Sequence, residues 1–200
     1  MKRIFLYLSF TFFIGCQEKT CNNILYSCDF NYIKYYGEES FLLEGTFIHD
    51  SLKENRYDRL PASYKEIVRQ PVWDLSKHSS GLSIRFLSNS SVITAKWEVL
   101  NNFSMDHMPD TGIKGVDLYF KKNDEWQYIN TGVPVGFNNE YKLVENMDNE
   151  LREYKLFLPL YDGINNIEIG VDSLSYVKRP DRNDNCLLYT SPSPRDDGVS

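Results

Sequence analysis

From residue 82 onward, apolar side chains repeatedly fall on every second position. Leu82, Ile84 and Phe86 alternate with Ser83 and Arg85; Ile93, Ala95, Trp97 and Val99 alternate with Thr94, Lys96 and Glu98. A period of two sends successive side chains to opposite faces, so each run predicts a strand with one buried face. Ser88-Asn89-Ser90 separates the two runs, and the pattern predicts that they form a hairpin. Val116, Leu118 and Phe120 give a third strand, Lys122-Asn123-Asp124 a turn, and Trp126 and Tyr128 the start of a fourth. Tyr154, Leu156 and Leu158 form another, closed by Pro159, and Asp162-Gly163 turns into Ile167, Ile169 and Val171. Residues 41–48 and 141–144 read as further strands, 22–39 as a linker or first strand, and 51–59 as a charged loop. Residues 62–68 suit one or two helical turns, which Pro71 is expected to end. Seven or more short strands joined by polar turns predict an all-β chain, an antiparallel β-sandwich of jelly-roll type. Its expected core is Leu82, Ile84, Phe86, Ile93, Ala95, Trp97, Val116, Leu118, Phe120, Leu156, Leu158, Ile167 and Ile169.

The two ends do not follow this pattern. Lys2 and Arg3 precede an apolar run over 4–14, too short to span a bilayer but suited to a signal segment. The run closes on Phe13-Ile14-Gly15-Cys16, which resembles the bacterial lipobox, with Phe in place of the usual Leu. That resemblance implies acylation of Cys16 and a lipid anchor in the bacterial cell envelope, facing the periplasm or the cell surface. At the other end, residues 186–196 read C-L-L-Y-T-S-P-S-P-R-D. That string resembles a transposase sequencing adapter translated in frame, so 186–200 is read as non-native and the natural protein is expected to continue past Asn185. Only Cys21 and Cys28 then remain as a bridge pair; bridged and free states are both open.

Composition adds one exclusion. The chain has 200 residues and a net charge of −6, which argues against a nucleic-acid partner, because phosphate neutralisation needs a basic face. The 14 Tyr and 12 Phe suit strands and sandwich cores. His49, His78 and His107 have no short ligand spacing, so no metal site is expected. There is no phosphate loop and no G-x-G-x-x-G, and no cofactor is implied. There is no G-x-S-x-G elbow and no Gly-Asp-Ser, the nearest string being Gly170-Val171-Asp172-Ser173. No catalytic residue is therefore assigned.

The densest unusual segment is 105–119, M-D-H-M-P-D-T-G-I-K-G-V-D-L-Y. Loops on rigid sandwiches carry binding residues, whereas the plain reading is a structured connection in which His107 packs or faces solvent. Within it, Gly115-Val116-Asp117-Leu118-Tyr119 matches the G-x-D-L-Y motif of the N-terminal domain of bacterial SGNH-type (GDSL-like) esterases. Tyr57-Asp58-Arg59-Leu60-Pro61-Ala62, Pro71-Val72-Trp73-Asp74-Leu75-Ser76 and Ser80-Gly81-Leu82-Ser83-Ile84-Arg85-Phe86 resemble that family in order. So do His107-Met108-Pro109, Arg152-Glu153-Tyr154 through Tyr161, and Ile167-Glu168-Ile169-Gly170-Val171.

The resemblance implies a β-sandwich accessory domain, followed by a flavodoxin-like SGNH domain that carries the catalytic residues and is missing from this chain. The expected organisation is a signal at 1–15, a tether at 16–40, the sandwich at 41–177, the start of a linker at 178–185 and the adapter-like tail at 186–200. The expected function is that of a non-catalytic part of a secreted esterase acting on an ester, an acylated carbohydrate among the candidates. His107, Met108, Asp117 and Tyr119 are candidates for contact with substrate or with the catalytic domain, and Trp73 and Arg85 for packing or rim. Asp117 is weighed slightly toward a structural role, satisfying backbone donors of a neighbouring loop. The alternative is an autonomous glycan-binding lipoprotein module.

Overall fold

The computed structural model describes residues 32–181. The signal segment 1–15, Cys16, Cys21, Cys28, residues 182–185 and the adapter-like stretch 186–200 lie outside the described residues. Among the described residues, ten strands form two antiparallel sheets. One has the order β1 (Ile33–Tyr36), β9 (Ile164–Asp172), β4 (Ile93–Val99) and β7 (Asn138–Val144). The other has the order β10 (Val177–Lys178), β3 (Ser83–Ser88), β8 (Arg152–Phe157), β5 (Val116–Lys122) and β6 (Glu125–Gly132). A sixth strand, β2 (Leu42–Glu44), also pairs with β3, sharing an edge with β10. β1 and the 3-10 turn Glu38–Ser40 lie within the stretch read as a tether.

The inward phase of both sheets meets in one core. Ile84, Phe86, Leu118, Leu156 and Tyr154 from the six-stranded sheet join Ile93, Ala95, Trp97, Ile167 and Ile169 from the four-stranded sheet. Of the thirteen residues expected in the core, only Phe120 is half-buried, packed at the cluster's edge. Removing this much apolar surface from water is the main stabilising term.

Two local expectations are corrected, and the charged loop is found with a buried side. The runs at 82–86 and 93–99 do not form a hairpin: β3 pairs with β8, β4 pairs with β7 and β9, and the connection crosses between sheets. Alternation fixes each strand's buried face but not its neighbour, and the two faces point at each other instead of lying side by side. The arch is held by Asp172 at the end of β9, whose carboxylate accepts from the Ser90 hydroxyl at 2.6 Å and from the Ser175 hydroxyl at 2.8 Å. Pro71 does not end a helix. It lies in the first turn of α1 (Gln70–Ser76), where its missing N–H leaves no helical bond unmade. The charged loop 51–59 carries a buried Tyr57 and Asp58; the Asp58 carboxylate accepts from Lys77 Nζ at 2.6 Å, and that ammonium sits 4.2 Å from the Trp73 ring centroid. Trp73 is thus packing, as one of its two expected roles.

Asn123 and Asp124 join β5 to β6 with φ of 52° and 64°, the left-handed pair that fits the twist of a tight hairpin. The second short helix, α2 (Asp110–Lys114), leads directly into β5.

Candidate functional site

Strand β5 explains the chemistry of its own motif. Val116 and Leu118 point inward and are fully buried, so Asp117 and Tyr119 point outward. Gly115 sits where α2 turns into β5. A Cβ there would lie 2.3 Å from the Thr111 carbonyl oxygen and 3.0 Å from that of Gly132, so only glycine fits without displacing backbone.

The strand registers line up cross-strand rows on the outer face of the six-stranded sheet. One row runs Leu42, Arg85, Lys155, Tyr119, Tyr128 from β2 to β6. The next runs Glu44, Ser83, Phe157, Asp117, Thr131. Beside Tyr119, Lys121 pairs with Trp126. Asp117 and Tyr119 are therefore brought into one constellation with Tyr128, Thr131, Phe157, Trp126 and Lys155.

Its geometry is aromatic at the centre. Tyr119 packs edge-to-face with Tyr128, ring centroids 5.5 Å apart, and with Phe157 at 5.3 Å. Lys155 Nζ lies 4.7 Å from the Trp126 ring centroid. The Thr131 hydroxyl donates to Asp117 Oδ1 at 2.5 Å and is 2.8 Å from the Tyr128 hydroxyl. Asp117 therefore serves a cross-strand hydroxyl, and its loop-bracing role is taken by a different residue. Asp162, fully buried, accepts from the backbone amides of Asn101, Asn102 and Gly163 and from the Asn101 side chain.

A lattice of ion pairs completes the face toward β2. The Arg85 guanidinium meets Glu44 and Glu153 at 3.0 Å each, Lys155 meets Glu44 at 3.0 Å, and Lys121 lies 3.9 Å from Glu153. Arg85 is buried, yet its Nε meets Glu44 as an ion pair without hydrogen-bond geometry. Its Nη2 also donates to the Asp181 carbonyl at 3.0 Å, which places Arg85 at the rim beside the last described residue.

His107 and Met108 lie apart from these rows, on the connection before α2. His107 is exposed, whereas Met108 is half-buried and its side chain crowds Gly112. The base of the connection is fixed: Ile113 and Lys114 are buried, Lys114 Nζ donates to Asn102 Oδ1 at 2.8 Å, and Trp97 Nε1 donates to the Lys114 carbonyl at 3.0 Å. The Ser104 hydroxyl and Lys114 hold the Asp110 carboxyl below its ordinary range.

Among the described residues one Ser–His contact stands out, His49 Nδ1 to Ser51 Oγ at 2.8 Å. It is an exposed cap on the 3-10 turn Asp50–Leu52, because the Ser51 amide also donates to Nδ1. The neighbouring Asp50 carboxylate is engaged by Lys53 and Arg56, so no acid orients the imidazole as a catalytic base requires. His78 packs 6.1 Å from the Phe103 ring; burial lowers its pKa against the pull of Asp162.

The residues that pattern reading missed are Tyr128, Phe157, Trp126, Thr131 and Lys155. The signal was present in β8. With Tyr154, Leu156 and Leu158 pointing inward, Phe157 falls on the outward phase, where a polar residue is expected.

The family model for the GxDLY N-terminus of SGNH-hydrolase-type esterases matches residues 33–177. Among solved structures, a GDSL-like lipase from Bacteroides ovatus superposes with a TM-score of 0.70 at 34% identity, over 76% of this chain and 44% of that one. A salicylyl-acyltransferase from a tetracycline biosynthetic pathway superposes with a TM-score of 0.53 at 12% identity, over 75% of this chain and 42% of that one, a likeness of fold. This chain thus spans less than half the length of either. No curated protein matches it. The glycine-locked turn, the outward Asp and Tyr and the inward Leu are the motif in three dimensions, and the chain belongs to the family of GxDLY N-terminal domains of SGNH-type esterases.

Proposed function

We propose that this chain is the non-catalytic N-terminal part of a secreted, lipid-anchored SGNH-type esterase, acting on an ester substrate such as an acylated carbohydrate. A hydrolase domain following it in the same polypeptide supplies the nucleophile, the base and the oxyanion donors. The single observation that carries this reading is the family match over 33–177, which takes in the whole sandwich and is described as an esterase N-terminus. The one described Ser–His contact being a turn cap supports the division of labour. The sandwich contributes a rigid face and ordered loops, with Asp117 and Tyr119 on the face and His107 and Met108 on the connection leading to it. Cys16 ties the assembly to the cell envelope through its acyl chains.

The test is the gene beyond codon 185. An open reading frame carrying a Gly-Asp-Ser-like block supports the reading, and a stop codon there contradicts it. A stop codon would favour the second reading, an autonomous glycan-binding module, for which the exposed aromatic cluster on a rigid sheet is the favouring observation.

A further inference from the structure

Resting on that reading, we infer that the hydrolase domain docks on the outer face of the six-stranded sheet, over Tyr119, Tyr128 and Phe157. Apolar surface is the first reason. Tyr128 is 55% exposed and Phe157 38%, and both pack on Tyr119. Apolar surface gathered on one face marks a contact site, whereas scattered exposed residues do not.

Most charges on this face are already engaged within it. Arg85, Lys155 and Lys121 are paired with Glu44 and Glu153, and Asp117 accepts from Thr131. Docking there desolvates charges that are mostly paired already, with Asp117 and Lys178 the ones lacking an ionic partner among the described residues, and aromatic residues with few free charges are the composition of an interface core.

The path of the chain selects the occupant. β10 pairs with β3 at Ser88 and Leu87, while β2 occupies the same edge from Arg85 onward. The chain beyond Lys178 therefore cannot continue as an edge strand. Pro180 is buried, and the outward-pointing Arg85 holds the Asp181 carbonyl. Asp181, the last described residue, is thus held at Arg85, in the row that leads through Lys155 to Tyr119 and Tyr128. Tyr119 is two strands from Arg85, about 10 Å away at the usual strand spacing. A domain tethered at that distance meets the patch at high effective concentration, so a modest contact area suffices. In the Bacteroides ovatus relative, more than half of the chain lies outside the match, enough for such a domain.

Hydroxyl-radical footprinting with mass spectrometry tests this on two samples, the 200-residue chain and the full-length polypeptide encoded by its gene. Modification of Tyr128 and Phe157 is expected to fall roughly fivefold or more in the full-length protein, as burial in an interface core requires. Ile67 and Phe137, exposed and outside the strands of this sheet, should keep their rates. Equal modification of Tyr128 and Phe157 in a protein that does carry a hydrolase domain overturns the inference and leaves the domain reading intact. A gene with no such domain overturns both. If xylohexaose or cellohexaose protects Tyr128 and Phe157 in the full-length protein, the face is an open glycan platform and the docking inference fails.

Discussion

The two outer faces of the sandwich obey the same alternation and both carry charge, but they differ in aromatic content. On the four-stranded sheet the outward residues include Lys96, Glu98, Asn138, Glu140, Asn166 and Glu168, with Ile33 beside Tyr35 over Gly170. Its one outward aromatic with close partners, Tyr35, is spent locally. It lies against Gly170, takes the Lys96 ammonium 3.5 Å from its ring centroid and donates to Glu140 at 2.5 Å. Burial and the Glu140 carboxylate push the Tyr35 phenol up. On the six-stranded sheet the outward phase instead carries Tyr119, Tyr128, Phe157 and Trp126. Strand geometry decides which residues point away from the core. It does not decide whether they meet water, and composition at those positions separates a polar face from one that also exposes aromatic surface.

Four substitutions or titrations can break or sharpen this contrast. The largest effect should come from the shared interior. Trp97 is buried and bonded to the Lys114 carbonyl, so Trp97→Ala should cost about 3–5 kcal/mol in urea unfolding. A loss under about 1 kcal/mol would mean that the two sheets do not share one core. Gly115→Ala comes next, at about 1–3 kcal/mol from crowding against two carbonyl oxygens. A neutral result would show that the motif's glycine does not shape the entry into β5.

Tyr128→Ser combined with Phe157→Ser should change stability by about 1 kcal/mol or less, because both side chains are largely outside the core. The pair should also bind less of a hydrophobic dye such as ANS. Unfolding of this variant would make the cluster part of the core and remove the contrast between the faces.

The smallest effect is on pH dependence. Burial alone would raise the Asp172 carboxyl, but bonds from the Ser90 and Ser175 hydroxyls and the Ser91 and Leu174 amides outweigh it and lower the pKa. The folded value is below the unfolded one. The contribution is therefore fully present above the ordinary aspartate pKa of about 3.9 and is lost as pH falls through the folded value. Asp172→Asn should flatten that acid limb in thermal melts. An unchanged limb would mean that the clasp between β9 and the β3–β4 arch carries no linkage.

Most of the fold was legible because it rests on burial, which alternation reports directly. Ile84, Trp97, Leu118 and Ile169 were placed in the core by phase alone. Strand pairing was less legible. The β3–β4 crossing depends on which faces meet in space, and the Asp172 clasp that fixes it is assembled from residues more than eighty positions apart in sequence. The candidate site was half legible. Asp117 and Tyr119 were found through their motif. Tyr128 and Thr131 joined them only through the register of β6, which shifts at a bulge between Leu118 and Tyr119. His107 and Met108 drew attention as unusual residues, yet the structure gives them a separate connection, since Lys114 and Ile113 anchor that segment from its other end.

The central claim is that this domain accompanies an esterase without performing its chemistry. The most direct measurement is hydrolysis of p-nitrophenyl acetate by the purified chain from Cys28 to Asn185. The account predicts no turnover above the buffer rate. Turnover that a single Ser→Ala substitution abolishes would contradict it.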